Sequence, residues 1–358
     1  MRLAFDLSVL RQPAVGTVRY ATQLRRAMGA AAGDDTLLDA LGWPRGPRAS
    51  RWRPANLASD IGWLTVGADV FAVRNRIDAW YGPANSLPMA LPRPKAVTIH
   101  DTTFLMPGAH DPAYARWARV VYGAAGRRAD VVFVPSEATR ASLASDLGID
   151  PGRITVAYPG VDHLAAHASS VDAPVDVGDP AARYALTVSQ TEPHKNIAAL
   201  VTAWQTAVPA DLELWIAGPA GRAEADLAAA IAASPRRERI RRLGAVDDAR
   251  LTALYQGATC FLFPSLAEGF GIPPLEAMAF GIPTGVAAAG SLPEVTAGAA
   301  VTFDPHDPAD IAAAVTRLAD DPDLRRDLAS RGPLVADRYR WASTAETIWG
   351  TIRKIRDD

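Results

Sequence analysis

FLFPSLAEGFGIPPLEAMAFG, residues Phe261–Gly281, reads as a strand, a glycine loop and a helix. Cys260 extends the opening into the apolar run Cys260-Phe261-Leu262-Phe263, the mark of a buried strand. Pro264 and Ser265 stop that run. The loop that follows carries Glu268, Gly269, Phe270 and Gly271. Pro273 and Pro274 stand where a first helical turn tolerates proline. Leu275, Met278 and Ala279 supply an apolar helix face, and Gly281 fits a C-terminal stop. A loop at the carboxyl end of a strand is where open α/β sheets bind ligands. Free N–H groups at the helix start would favour a phosphate.

Two glutamates stand eight positions apart in this stretch. The spacing puts Glu268 in the loop and Glu276 in the first helical turn, beside the same opening, where the helix dipole favours negative charge. A carboxylate accepts two hydrogen bonds at once, which suits paired sugar hydroxyls. Two acids and a phosphate cradle describe a site for a nucleotide-sugar. A capped helix whose acidic first turn merely offsets the dipole is the plainer alternative for Glu276.

EGFGIPPLEAMAFGIP resembles the signature of the retaining glycosyltransferases of family 4, the "group 1" transferases, some of them mannosyltransferases. LTALYQGATCFLFPS before it and GSLPEV after it, at Gly290–Val295, continue the resemblance. VSQTEPHKN at Val188–Asn196 is similar to the family's phosphate-binding segment. The resemblance implies an α/β fold of GT-B architecture: two Rossmann-like doubly wound domains facing across a cleft. It implies an acceptor-side domain over residues 1–170 and a nucleotide-sugar-binding domain over 171–340. The last helix, about 341–358, is expected to pack back on the first domain.

Composition agrees with that size. A chain of 358 residues can hold two sizeable cores, and 49% apolar with 21% charged residues is ordinary for a globular protein. The single cysteine, Cys260, rules out an internal disulfide and fits a reducing compartment. The N-terminus has too short an apolar run, broken by Asp6, to read as a signal peptide or a span. A cytoplasmic protein, working at the inner face of the membrane, is expected. Residues 1–163 carry 19 Lys and Arg against 14 Asp and Glu, and the remainder 18 against 25. A basic half and an acidic half point to different partners.

Strands alternate with helices along the chain, which argues a parallel doubly wound sheet. Strands are predicted at Leu3–Leu7, Ile77–Tyr81, Ala96–Ile99, Val131–Val134 and Ile154–Ala157, then at Tyr184–Val188, Leu212–Ala217 and Thr259–Phe263. A helix after Gly16 and Thr17 presents Tyr20, Leu24 and Met28 on one face. Ser136 reads as an N-cap. Helices are also predicted at Ile311–Leu318, Pro322–Ser330 and in the amphipathic tail. His163–Ala182 has the composition of a linker. ADVVFVPS at Ala129–Ser136 echoes ATCFLFPS at Ala258–Ser265 in shape.

Lys195 stands just past a strand and opens a helix, where its ammonium can meet diphosphate oxygens as a point charge. The resemblance assigns catalysis to Glu268, Lys195 and His100. It assigns donor binding to Gly16, Thr17, Ser189, His194, Asn196, Gly269, Phe270, Gly271, Ile272 and Glu276. Asp101 suits either the acceptor side, positioning a hydroxyl, or a plain cap on the following turn. The family usually has glycine where Ser189 stands and arginine where His194 stands, which bears on donor identity. Its usual account is front-face transfer with retention and no certain protein nucleophile.

Asp34-Asp35 and Asp247-Asp248 read as surface, and Asp304 and Asp307 as turn residues. The sequence shows no convincing metal constellation, so neither metal nor cofactor is expected. Trp43–Asn56, WPRGPRASRWRPAN, interleaves Arg45, Arg48, Arg51 and Arg53 with tryptophans, which suits an anionic acceptor or headgroup layer. The expected partners are a nucleotide-diphosphate-sugar donor, with GDP-mannose the leading choice, and a glycan or lipid-linked acceptor; no nucleic acid is expected. A nucleotide-sugar epimerase of the same architecture and a non-catalytic glycan- or nucleotide-binding subunit are the rivals. A dinucleotide dehydrogenase is disfavoured because no GxGxxG follows the first strand.

Overall fold

The computed structural model describes residues 1–11, 15–43, 53–88, 94–163, 183–205 and 208–357, and not the side chains of residues 11, 15 and 53–57. The chain forms two compact units. The first holds Met1–Thr102, Ala113–Pro159 and Trp341–Asp358; the second holds Thr103–Pro112 and Gly160–Arg340. The expected boundary at residue 170 falls outside the described residues.

The first unit is built on six parallel strands: β1 (Arg2–Asp6), β2 (Thr36–Ala40), β3 (Ala79–Gly82), β4 (Lys95–Thr98), β5 (Val131–Val134) and β6 (Ile154–Val156). Their order in the sheet is β2-β1-β3-β4-β5-β6. Residues of β3 and β5 are buried without alternation, as expected of strands covered on both faces. Helix α1 (Val15–Ala30) buries Tyr20, Leu24 and Met28, the stripe expected from sequence. The last helix, Trp341–Asp357, packs there too. Trp349 Nε1 donates to the Met28 carbonyl at 3.0 Å, and Arg353 meets Asp35 at 2.7 Å. Asp35 also takes the N-terminal ammonium at 2.5 Å, so it is a structural anchor and not the surface residue its polar surroundings suggest.

The second unit has six parallel strands of its own: β7 (Tyr184–Val188), β8 (Glu213–Ala217), β9 (Ile240–Gly244), β10 (Cys260–Phe263), β11 (Thr284–Ala287) and β12 (Val301–Phe303). Their order is β12-β11-β10-β7-β8-β9. Counted from β7, this is the 3-2-1-4-5-6 order of dinucleotide-binding sheets. The chain winds outward through β8 and β9, then returns across β7 to lay down β10. The carboxyl ends of β7 and β10 therefore flank a topological switch point, where such sheets bind ligands. The expected α/β class with two doubly wound sheets is what the structure shows.

The echo between the two strand–Pro–Ser segments is one of local shape only. β5 lies next to the edge of its sheet, whereas β10 is interior beside β7. Ser136 caps a helix by accepting from the Thr139 N–H, as expected, while the buried Ser265 caps none. Cys260 is buried, which pushes its thiol up to about 12 and leaves it inert.

Candidate functional site

Two loops meet at the switch point of the second sheet. The first leaves β7 at Ser189 and runs into a short 3₁₀ turn, Pro193–Lys195. Asn196 follows with φ 55°, a left-handed backbone that asparagine tolerates. The helix Ile197–Ala203 starts there. The second loop leaves β10 at Pro264 and ends at Gly271, whose φ of 97° only glycine adopts readily. Helix α9 (Ile272–Ala279), the ninth α-helix among the described residues, follows. Phe280 closes it, and Gly281, with φ 70°, supplies the left-handed stop expected from sequence.

Lys195 and Glu268, separated by 73 residues in sequence, come together here: Nζ donates to Oε1 at 2.5 Å. Both side chains are mostly but not wholly buried, at 19% and 11% exposure, so the pair faces solvent at one end. Lys195 also lies 5.6 Å from the centre of the Phe263 ring. The loops are fastened to one another. Leu266 N–H donates to the His194 carbonyl at 2.8 Å. The Asn196 amide donates to the carbonyls of Pro305 at 2.8 Å and Pro264 at 3.3 Å, tying in the loop after β12. Asn196, expected as a donor contact, thus has a bracing role in this structure.

The GSLPEV segment clamps Glu268 from the other side. Ser291 Oγ donates to the carbonyl of Glu268 at 3.1 Å, and lies 2.9 Å from that of Phe270. Gly290 lies against the Glu268 backbone so closely that a Cβ there would sit 2.8 Å from its nitrogen. Phe270 turns its ring away onto Tyr339, 5.3 Å between centres, so only its backbone is placed to serve the loop. Gly269 and Gly271 are buried in the same loop, and Ile272 is the first helical residue. Ser189 is half-buried, and its carbonyl lies over Gly218. His194 is buried, its ring 5.5 Å from that of His110.

Three expectations need correction. Glu276 is the fifth residue of α9 and not in its first turn, because the helix already starts at Ile272, directly after the left-handed Gly271. Its carboxylate is buried and held on both oxygens: His163 Nε2 donates at 3.1 Å and the Tyr255 hydroxyl at 3.0 Å. His163, read from composition as the start of a linker, is thereby a buried part of the site. The start of α9 is also a poorer phosphate cradle than expected, since Pro273 and Pro274 carry no N–H. Tyr255 was missed altogether. Its only sequence signal is its place beside Leu251 and Leu254 on the buried face of the helix Asp248–Gly257.

In the first unit, Gly16 and Thr17 lie inside the first turn of α1 and do not form a turn before it. His100 stands two residues beyond β4. Its Nε2 sits 2.7 Å from the Pro83 carbonyl and donates to it, and its ring meets Tyr20 edge-on at 4.5 Å. Burial holds the imidazole below its ordinary range, against the opposing pull of that carbonyl and of Asp101. His100 is therefore neutral near pH 7, with Nδ1 as the acceptor. Arg45, Arg48 and Arg51 lie outside the described residues, as does the side chain of Arg53. Among the described residues no cluster of His, Cys, Asp or Glu could hold a metal, and no helix is long and apolar enough to cross a membrane. Asp247 and Asp307 cap helices, and Asp304 accepts from the His306 N–H in a turn.

The chain matches the family described as glycosyl transferases group 1 over residues 178–335, and glycosyltransferase family 4 over residues 16–163. It is 36% identical over 170 residues to O-antigen chain mannosyltransferase B of Escherichia coli, covering 46% of this chain and 44% of that protein. It is 31% identical over 232 residues to the serotype-specific mannosyltransferase WbdA of Escherichia coli, covering 61% of this chain and 28% of that protein. The chain thus spans less than half the length of these curated relatives. Among solved structures, sucrose-phosphate synthase from Thermosynechococcus elongatus superposes with a TM-score of 0.79 at 18% identity, over 99% of this chain and 98% of that one. Anabaena HepE in complex with UDP-glucose superposes with a TM-score of 0.70 at 16% identity, over 99% of this chain and 100% of that one. These two likenesses concern the fold. The chain belongs to the group 1 glycosyltransferases of family 4.

Proposed function

We propose that the chain is a retaining, metal-independent hexosyltransferase. It moves a sugar from a nucleoside-diphosphate sugar of the GDP-mannose type to a glycan or lipid-linked acceptor. The observation that carries this reading is the Lys195 ammonium held 2.5 Å from the Glu268 carboxylate at the switch point of the second sheet. The mannosyltransferase names of the aligned relatives support the donor. The UDP-glucose complex of a structural neighbour supports the class of donor.

The chemistry follows from the charges. As the bond between the anomeric carbon and the diphosphate breaks, its electron pair goes to a phosphate oxygen. Lys195 neutralises that growing charge in a mostly buried setting, where it counts for more than in water. Glu268 faces the positive character that builds on the anomeric carbon. The acceptor oxygen bonds to that carbon on the face the diphosphate leaves, and its proton passes to the leaving oxygen. Glu276 takes the ribose hydroxyls of the nucleotide, with His163 and Tyr255 fixing the carboxylate. On the first unit we assign His100 to the transferring sugar and Asp101 to the acceptor hydroxyl. Arg45, Arg48, Arg51 and Arg53 are assigned on sequence alone to an anionic membrane surface at the cytoplasmic face.

Transfer from GDP-mannose to mannotriose, followed by GDP release and by proton NMR of the product, tests this. The expected product keeps the α configuration of the donor, and EDTA leaves the rate unchanged. An inverted product would refute retention. Activity abolished by EDTA and restored by Mn²⁺ would refute metal independence, because Lys195 alone would not then be stabilising the leaving group.

A further inference from the structure

The helix Pro112–Arg128 leaves two large aromatic side chains in water near its start: Tyr114 at 41% exposure and Trp117 at 48%. They are not loose. Their ring centres lie 5.7 Å apart with planes tilted 35°. Trp117 meets the ring of Tyr122 edge-on at 5.9 Å, and the hydroxyls of Tyr114 and Tyr122 lie 3.0 Å apart. Tyr122 itself is buried.

This cluster is connected to His100. The Asn85 side chain hydrogen-bonds the Tyr122 hydroxyl and accepts from the His100 N–H at 2.9 Å. Asn85 holds a left-handed backbone, φ 58°, to do so. Burial raises both tyrosine hydroxyls, and the negative charge of Asp101 adds to the effect on each. The aromatic face, His100 and Asp101 therefore share one region of the first unit.

We propose that Tyr114 and Trp117 form a carbohydrate-binding platform that holds a pyranose ring of the acceptor. The proposal rests on the glycosyl-transfer reading above for its purpose. A pyranose presents an apolar C–H face and a rim of hydroxyls. Two exposed, mutually braced rings supply an apolar surface, and the Tyr114 hydroxyl with Asp101 supplies polar partners at its edge. An exposed aromatic pair of this kind marks an interaction site. The adjacent Asp101 carboxylate disfavours an anionic lipid layer as the occupant. Arg116 and Arg119 project to other sides of the helix, since neither is three or four residues from both aromatics.

Binding of mannotriose in the absence of nucleotide, measured by saturation-transfer difference NMR, tests the platform. The expected result is binding by the wild type, at least about tenfold weaker binding by Trp117→Ala, and recovery to within about threefold in Trp117→Phe, which keeps a ring. Because Trp117 is half-exposed, the alanine variant should melt within a few degrees of the wild type. No sugar binding by the wild type, or equal binding by Trp117→Ala, overturns the platform. So does a variant that keeps sugar binding and loses affinity for phosphatidylglycerol vesicles, which would make the face a lipid surface. Transfer from GDP-mannose to mannotriose, run on the same wild-type sample, reports separately on glycosyl transfer. Sugar binding without any transfer would retain the platform and sink the transferase reading.

Discussion

Replacing Glu268 with glutamine should lower kcat by about 2–4 kcal/mol of barrier, with GDP affinity nearly unchanged. This is the scale for one preorganised electrostatic group aimed at charge that develops only in the transition state. The substitution is nearly isosteric. The amide oxygen can still accept from Lys195, and Ser291 and Gly290 still hold the Glu268 backbone. Only the charge is lost. Glu276→Gln should behave differently, raising the donor KM and weakening GDP. It should also cost about 1–3 kcal/mol of stability. Both Glu276 oxygens accept, one from His163 and one from Tyr255, so an amide nitrogen must face a donor. Steady-state kinetics with calorimetry on both variants decides the division of roles. Loss of GDP affinity in Glu268→Gln but not in Glu276→Gln would reverse it.

The second large effect is expected at Gly218, just past β8. Its φ is +127°, a region L side chains rarely adopt, and a Cβ there would lie 2.0 Å from the Ser189 carbonyl oxygen. The neighbour is backbone, so no side chain can swing aside. Gly218→Ala combines backbone strain with displacement of the loop that leads to Lys195, at a cost of about 3 kcal/mol or more. For a unit of this size that is a fall in Tm of roughly 6–12 °C. A Tm within about 2 °C of the wild type would show that the two loops are not tightly packed there.

Most interior strands were legible because each is a short apolar run between turn residues, buried on both faces. The edges were not. β2, β9 and β12 all lie at sheet edges, and none was read from sequence. β9 carries Arg241 and Arg242, which pair with Glu213 and Glu224, so its composition looks like a charged surface. Charge on an edge strand is a common device against unwanted pairing. β12 alternates buried, exposed, buried over only three residues. β11 is interior and was still missed. Its Gly285 lowers strand propensity, yet a Cβ there would meet Leu318 at 2.8 Å.

At the site, the meeting of Lys195 and Glu268 was legible because both follow predicted strands, and a parallel sheet brings strand ends to one edge. The burial of Glu276 was not, since it depends on the backbone of Gly271 and on two partners far away in sequence. His163 was hidden by the polar, aperiodic stretch that follows it. Composition averages over a window, and one buried histidine at its border leaves no trace.

The central claim is that Lys195 meets the diphosphate of the donor. Calorimetric titration of GDP, with UDP alongside, into the wild type and Lys195→Ala tests it most directly. A charge-assisted phosphate contact is worth about 1.5–3 kcal/mol, so the variant should bind roughly 10- to 100-fold more weakly. Equal affinity in the two proteins, or no binding of either diphosphate by the wild type, would contradict the assignment.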